Sequence, residues 1–178
     1  MKKQLKKVSA WIMALVIALQ FMPMTTYAAP LSDEEVVYTF TNEDVLYAAQ
    51  RAYENGDLTE EQMTTVWRLL STRLGIQGEN KVVVVGYTAT TYTYDYYLNN
   101  VTWSIVLALG GSAAAALLGL IPGIPSLVVD IIIAAGGAAT GTILSAERGV
   151  IITVRMVDIS LGIGAPQYVY EYVGIREQ

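Results

Sequence analysis

The chain has 178 residues and a net charge of −5, with 11 basic and 16 acidic side chains, and it contains neither cysteine nor histidine. Without these two residue types it has no Cys/His nucleophile, no Ser-His-Asp triad and none of the usual zinc ligands. We therefore predict no enzymatic activity, no catalytic residues, no metal site and no cofactor. The length is sufficient for one domain with a hydrophobic core.

Residues 1–28 have the three parts of a secretory signal peptide. Four lysines precede an apolar segment at positions 8–22, and Thr26-Tyr27-Ala28 provides a small-x-small cleavage site. We expect cleavage after Ala28, because cleavage after Ala29 would leave Pro30 at the first mature position. An uncleaved amino-terminal anchor is the alternative.

Removal of this segment makes the chain more acidic. Residues 1–28 contain four of the basic side chains and none of the acidic ones, so residues 29–178 carry 7 against 16 and a net charge of about −9. Such a chain has no electrostatic attraction to nucleic acid or to anionic lipid, and we predict no nucleic-acid partner. An exported chain without cysteines is typical of secreted Gram-positive proteins, which indicates an extracellular or cell-envelope location.

Residues 29–178 are expected to form a single domain of α+β class that begins with an amphipathic helix pair at 42–74. Thr41 lies three residues before Asp44, and Thr59 lies three residues before Gln62, which are the spacings of capping boxes. Asn55-Gly56 is typical of a helix end. The acidic loop between the helices lacks the ligand spacing of an EF-hand, so we interpret it as a turn and not as a calcium site.

Two segments, 81–97 and 149–173, are predicted to supply the strands of a small antiparallel sheet. Tyrosines alternate with other residues in both segments, which places the tyrosines of each strand on one face. The two aromatic faces consist of Tyr92, Tyr94 and Tyr96, and of Tyr168, Tyr170 and Tyr172. They are suited to cross-strand packing, to a platform for a glycan, or to an aromatic belt at a membrane interface.

Residues 101–146 are predicted to form an apolar helical hairpin. No charged residue occurs between Asp95 and Asp130, and each arm has about 20 residues, roughly the length that crosses a bilayer. Pro122-Gly123-Ile124-Pro125 is typical of a tight reversal, and small residues recur every four positions along both arms, as in closely packed helices. The candidate packing residues are Trp103, Ala108, Gly111, Ala115, Gly119, Pro122, Gly123, Pro125, Asp130, Gly137 and Gly141.

The hairpin has two interpretations: insertion into a membrane, or the buried core of a globular domain. Asp130 has a different role in each. In a core it is expected near the first turn of the second helix, where the helix dipole favours a carboxylate. In a membrane it marks the polar tip of the hairpin or a proton-sensitive position.

Several stretches together resemble small exported proteins of Gram-positive bacteria, some of them bacteriocin-like and others uncharacterised. These stretches are Tyr94–Asn100, the Gly/Ala-rich arm after it, Ile121–Pro125 and Gly149–Ile152. The resemblance implies secretion and antibacterial membrane activity, whereas the usual bacteriocin is cationic and this chain is acidic.

The leading hypothesis is therefore a secreted protein that acts on or in membranes through the apolar hairpin, in the manner of a bacteriocin or pore-forming toxin. Insertion would then require protonation of carboxylates, Asp130 included. The competing hypothesis is a soluble secreted binding or structural protein with the hairpin as its core. The expected partners are a lipid membrane or a cell-envelope component, with self-association through the small-residue helix faces.

Overall fold

The computed structural model describes residues 35–72, 75, 77–139, 141–143, 146–160 and 165–178. The predicted signal peptide and its cleavage positions, Ala28 and Ala29, lie outside these residues. The strands are β1 (Glu35–Thr39), β2 (Lys81–Tyr87), β3 (Thr91–Leu98), β4 (Val150–Asp158) and β5 (Tyr168–Glu177). The helices are α1 (Asn42–Glu54), α2 (Glu60–Ser71), α3 (Asn100–Leu109), α4 (Gly111–Leu118) and α5 (Ser126–Ala138), followed by a 3₁₀ turn at Gly141–Ile143.

The five strands form one antiparallel sheet in the order β1-β2-β3-β4-β5. The predicted α+β class is thus confirmed. β3 and β4 are neighbours in the sheet although α3, α4 and α5 lie between them in the chain. On the face that packs against the helices, Tyr96, Ile152 and Val154 belong to the hydrophobic core. We call this the inner face and the opposite one the outer face.

Both predicted capping boxes are present. The Thr41 hydroxyl accepts the Asp44 N–H at 3.2 Å, and the Asp44 carboxylate accepts the Thr41 N–H at 2.7 Å. Thr59 and Gln62 make the same reciprocal pair at 3.2 and 2.8 Å. These bonds satisfy N–H groups that the first helical turn leaves without partners. α2 ends at Ser71, earlier than predicted, because Thr72 has extended backbone geometry.

The predicted hairpin with two arms of about 20 residues is not confirmed, because the apolar segment forms three shorter helices. Gly110 and Gly111 both have positive φ, +57° and +43°, so the first arm breaks into α3 and α4. The second arm is α5, with 13 residues. In the part of the chain that the structure describes, no helix combines the length and the apolar character needed to cross a bilayer.

These three helices supply much of the hydrophobic core. Their most deeply buried large side chains, each at most 1% exposed, are Trp103, Ile105, Leu117, Leu118, Val128 and Ile132. They form one cluster with apolar side chains of α1, α2 and the inner face of the sheet. Full burial of such a side chain stabilises a fold by about 1.5–3 kcal/mol. One side of each of these helices therefore contributes to the interior of the fold, while the other side is exposed.

Candidate functional site: a tyrosine face on the sheet

Four tyrosines of β2 and β3 form a row on the inner face of the sheet. The ring centroids are 6.2 Å apart between Tyr87 and Tyr92, and 6.3 Å apart both between Tyr92 and Tyr94 and between Tyr94 and Tyr96. The ring planes of the first two pairs lie within 25° of each other. Offset stacking of this kind stabilises aromatic pairs by about 0.5–1.5 kcal/mol beyond the area they bury.

The tyrosines of β5 lie on the same face, two strands away. Tyr92 is opposite Met156, which is opposite Tyr170, and Val154 likewise lies between Tyr94 and Tyr172. Directly opposite residues of an antiparallel sheet point to the same side. The structure thus joins the two predicted aromatic faces into one tyrosine face, which comprises Tyr87, Tyr92, Tyr94, Tyr96, Tyr168, Tyr170 and Tyr172.

Exposure increases along β3 from Tyr96 to Tyr92. Tyr96 is 3% exposed and belongs to the core, and Tyr94 and Tyr170 are partly buried. Tyr92 and Tyr168 are 41% and 46% exposed. The buried end accounts for the cross-strand packing expected from the sequence, while the open end presents aromatic rings to solvent.

Burial and the neighbouring phenols favour the neutral form of these tyrosines. Burial is the main cause of the raised pKa of Tyr94, to which Tyr170, Tyr92 and Tyr168 contribute. Burial also raises the pKa of Tyr96, with further contributions from Tyr170 and Tyr94. A neutral phenol both donates and accepts a hydrogen bond. The inner part of the face therefore carries no phenolate charge at physiological pH.

A carboxylate lies at the open rim of the tyrosine face. Asp158 is opposite Tyr168 in the β4–β5 pair, and its Oδ1 accepts the Ser160 N–H at 2.8 Å. Hydrogen bonds from the Ser160 side chain and backbone lower the pKa of Asp158. The rim therefore keeps an ionised acceptor in mildly acidic solution. Asp158 and Tyr87 were not among the residues predicted from the sequence.

The outer face of the sheet is polar by comparison. Asp95, only 2% exposed, accepts a hydrogen bond from the Thr153 hydroxyl at 2.6 Å and forms an ion pair with Arg176 at 2.5 Å. Arg155 and Glu171 form a second ion pair at 3.7 Å. These two ion pairs thus lie on the side of the sheet opposite the tyrosine face.

Most of the predicted packing residues of the apolar segment are exposed. The exposed members are Ala108, Gly111, Gly119, Pro122, Gly123, Pro125, Asp130, Gly137 and Gly141, and Ala115 is partly buried. Trp103 is buried and donates its indole N–H to the Ile143 carbonyl at 2.8 Å. The glycine that packs against Trp103 is Gly136, which was not predicted. Asp130 is the fifth residue of α5 and lies beyond its first turn.

Sequence and structure comparisons add no relative from which a role can be transferred. No protein-family model, curated protein or solved structure matches the chain. The similarity to exported bacteriocin-like proteins stays a prediction, and the tyrosine face is the feature whose chemistry suggests a function.

Proposed function

We propose that this protein is an exported binding protein that holds a neutral glycan of the cell envelope on its tyrosine face. The observation that supports this proposal is the tyrosine face, which is anchored in the core at Tyr96 and opens to solvent at Tyr92 and Tyr168. Each ring offers an apolar body and a polar hydroxyl. Sugars present the matching combination of C–H surfaces and hydroxyl groups.

The charge distribution favours a neutral ligand over an anionic one. Residues 29–178 have a net charge of about −9, which repels anionic lipid and polyanionic polymers. Asp158 adds a carboxylate beside Tyr168 at the open end of the face. A carboxylate accepts strong hydrogen bonds from hydroxyl donors, which a neutral sugar supplies in number.

The test is retention of the exported, processed protein on purified cell-wall polysaccharide, with affinities for soluble neutral fragments measured by calorimetry. Tyr92→Ala combined with Tyr168→Ala should weaken binding by about tenfold or more, as expected for truncation of two exposed aromatic contacts. Tyr47→Ala is the matched control, because Tyr47 is 62% exposed but lies on α1, away from the tyrosine face. Absence of any glycan binding, or an equal loss in the control, would refute the proposal.

A second candidate function is membrane insertion after rearrangement of the apolar segment. It is suggested by the Gly110–Gly111 break, at which an added Cβ at either glycine would meet no described atom within 4 Å. Straightening at this break would join α3 and α4 into one uncharged helix of nearly 20 residues, close to the length that spans a bilayer. The exposed apolar side chain of Leu127, 52% accessible on α5, adds a further lipid-compatible surface.

Dye release from liposomes distinguishes this second candidate from the first. Release in mildly acidic buffer that Asp130→Asn shifts towards neutral pH would support insertion, because Asp130 is the charge that interrupts the second apolar stretch. If the protein releases no dye in either neutral or mildly acidic buffer, membrane insertion is rejected.

A further inference from the structure

The edge of β5 is a long strand edge that faces away from the rest of the sheet. No described strand other than β4 pairs with β5, which has 10 residues. The Ile159 N–H donates to the Gln167 carbonyl at 2.8 Å. Because hydrogen-bonded and non-hydrogen-bonded pairs alternate in an antiparallel ladder, this bond sets the phase of β5. The backbone groups of Tyr168, Tyr170 and Tyr172 therefore point away from β4.

The first half of this edge has few of the features that prevent strands from pairing. Residues 168–172 pair with β4 in regular register, and the irregularity of the strand comes after them, where the register shifts between Thr153 and Val154. Glu171 is the one charged residue in this stretch, and it already contacts Arg155. Tyr168, Val169 and Tyr172 are 46%, 40% and 50% exposed. A long, regular and apolar edge is a site for pairing with another strand.

We propose that β5 pairs with β5 of a second copy of this chain, antiparallel and centred on Tyr170. The spacing of the three tyrosines makes the edge complementary to itself about this centre. Tyr170 would lie opposite its own counterpart, and Tyr168 would lie opposite Tyr172 in both directions. All three have outward-pointing backbone groups, so they form the hydrogen-bonded pairs of the new ladder. Aromatic pairs of this kind stabilise adjacent strands.

The outer face is also compatible with this register. Val169 would lie opposite Glu171 of the partner, so no two like charges are directly opposed, which avoids the destabilisation that such pairs cause. The resulting assembly is a closed dimer with two-fold symmetry, the commonest form of homo-oligomer. The dimer would contain one continuous sheet with twice the 5 strands of a single copy.

A groove beside the edge offers an independent reason for an aromatic occupant. A cavity of about 280 Å³ lies between α5 and β5 and is lined by Ile131, Ala134, Ala135, Ala138 and Tyr172. In the proposed register the partner's Tyr168 lies opposite Tyr172 and so reaches the mouth of this groove. Strand addition commonly combines backbone hydrogen bonds with such a side-chain pocket. The groove is therefore expected to accept a tyrosine from β5 of the second copy.

Sedimentation equilibrium of the exported, processed protein tests the proposal. A variant with Tyr168→Lys and Tyr172→Lys would place lysines opposite each other, and one with Tyr168→Glu and Tyr172→Glu would oppose glutamates. Each variant alone should have a dimer dissociation constant raised by about tenfold or more. An equimolar mixture should dimerise again, because the register sets each lysine opposite a glutamate. A monomeric parent protein, or a mixture that stays monomeric, would overturn the proposal.

Disulfide cross-linking tests the centre of the register directly. The chain has no cysteine, so Tyr170→Cys introduces a single thiol. Opposed hydrogen-bonded residues lie about 5.5 Å apart between Cα atoms, within the range that a disulfide spans. Rapid formation of a covalent dimer is expected for Tyr170→Cys and not for Val37→Cys, which lies 55% exposed on the other edge strand, β1. Equal cross-linking of both variants would contradict pairing through β5.

Discussion

The ring of Tyr38 lies against the backbone of Gly123. A Cβ atom added at position 123 would be 2.7 Å from Cδ1 of Tyr38, and Gly123 has a φ of +84°. The turn between α4 and α5 therefore depends on glycine for two reasons, its left-handed backbone and the space that the ring occupies. This contact fixes the middle of the apolar segment against β1.

Gly123→Ala is expected to lower the free energy of unfolding by about 2–4 kcal/mol, because left-handed backbone strain adds to overpacking against Tyr38. Urea denaturation measures the change. Gly56→Ala is a matched control, since Gly56 also has a φ of +84° but has no described atom within 4 Å of the added Cβ. The control should lose only about 1–2 kcal/mol. Equal losses at the two positions would show that the Tyr38 contact contributes nothing.

Tyr96 is expected to make stability sensitive to alkaline pH. Burial raises the pKa of Tyr96 in the folded protein, whereas the unfolded side chain ionises near pH 10. The contribution is complete below about pH 10 and is lost as the pH rises above it, because the unfolded chain then releases its proton first. Tyr96→Phe should flatten this part of the pH profile of unfolding. Tyr47→Phe, at a 62% exposed position, should leave the profile unchanged.

On the outer face, Asp95 accepts a hydrogen bond from Thr153 and forms an ion pair with Arg176. This network predicts that two substitutions in it will lower stability by different amounts. Arg176→Met leaves the carboxylate of Asp95, which is 2% exposed, with Thr153 but without its ion-pair partner. We expect the free energy of unfolding to fall by about 1–3 kcal/mol. A value near the lower end is expected because the Arg176 side chain is half exposed. Asp95→Asn retains an acceptor for the Thr153 hydroxyl and removes the buried charge. Thermal unfolding should show a smaller loss for Asp95→Asn, and the reverse order would refute this account of the network.

Asn99 joins three elements through its side chain and backbone. Its Oδ1 accepts the Thr102 N–H at 2.8 Å, its Nδ2 donates to Asn42 at 2.9 Å, and its N–H donates to Asn80 Oδ1 at 2.8 Å. Asn99→Ala leaves the buried Thr102 N–H without its capping acceptor and removes one of the two donors to Asn42 Oδ1. We therefore expect the free energy of unfolding in urea to fall by about 2–3 kcal/mol. The exposed cap Thr59→Ala should cost about 1 kcal/mol. If Asn99→Ala lowers the free energy of unfolding by no more than Thr59→Ala, the hydrogen bond from Asn99 to Asn42 does not contribute to stability.

The features that could be predicted from the sequence are those with local physical causes. The Thr41 and Thr59 capping boxes need only a side chain and a backbone three residues away. The alternation of tyrosines in β3 likewise follows from strand geometry. The Gly110–Gly111 break was not predicted, because spaced glycines are equally compatible with close helix packing. Only the positive φ values of the folded chain distinguish the two.

Only the part of the candidate site that follows from local strand alternation could be predicted from the sequence. Tyr92 and Tyr170 were expected on aromatic faces, but their union on one face depends on β4 lying between them. That arrangement is set by the long connection through α3, α4 and α5. Tyr87 was missed because the β2–β3 register shifts between Val84 and Gly86, which interrupts the alternation. Asp158 becomes significant only through its pairing with Tyr168.

The place of the three apolar helices in the chain also has a consequence for the order of folding. β2 pairs with β3 and β4 pairs with β5 through short connections, whereas β3 and β4 meet only after about 50 intervening residues have been brought together. The two hairpins are therefore expected to form early, and closure of the sheet between Leu98 and Val150 to limit the folding rate. Until β3 and β4 pair, the inner face of the sheet is incomplete and does not cover the uncharged segment. During this interval the chain is most exposed to aggregation and to capture by chaperones.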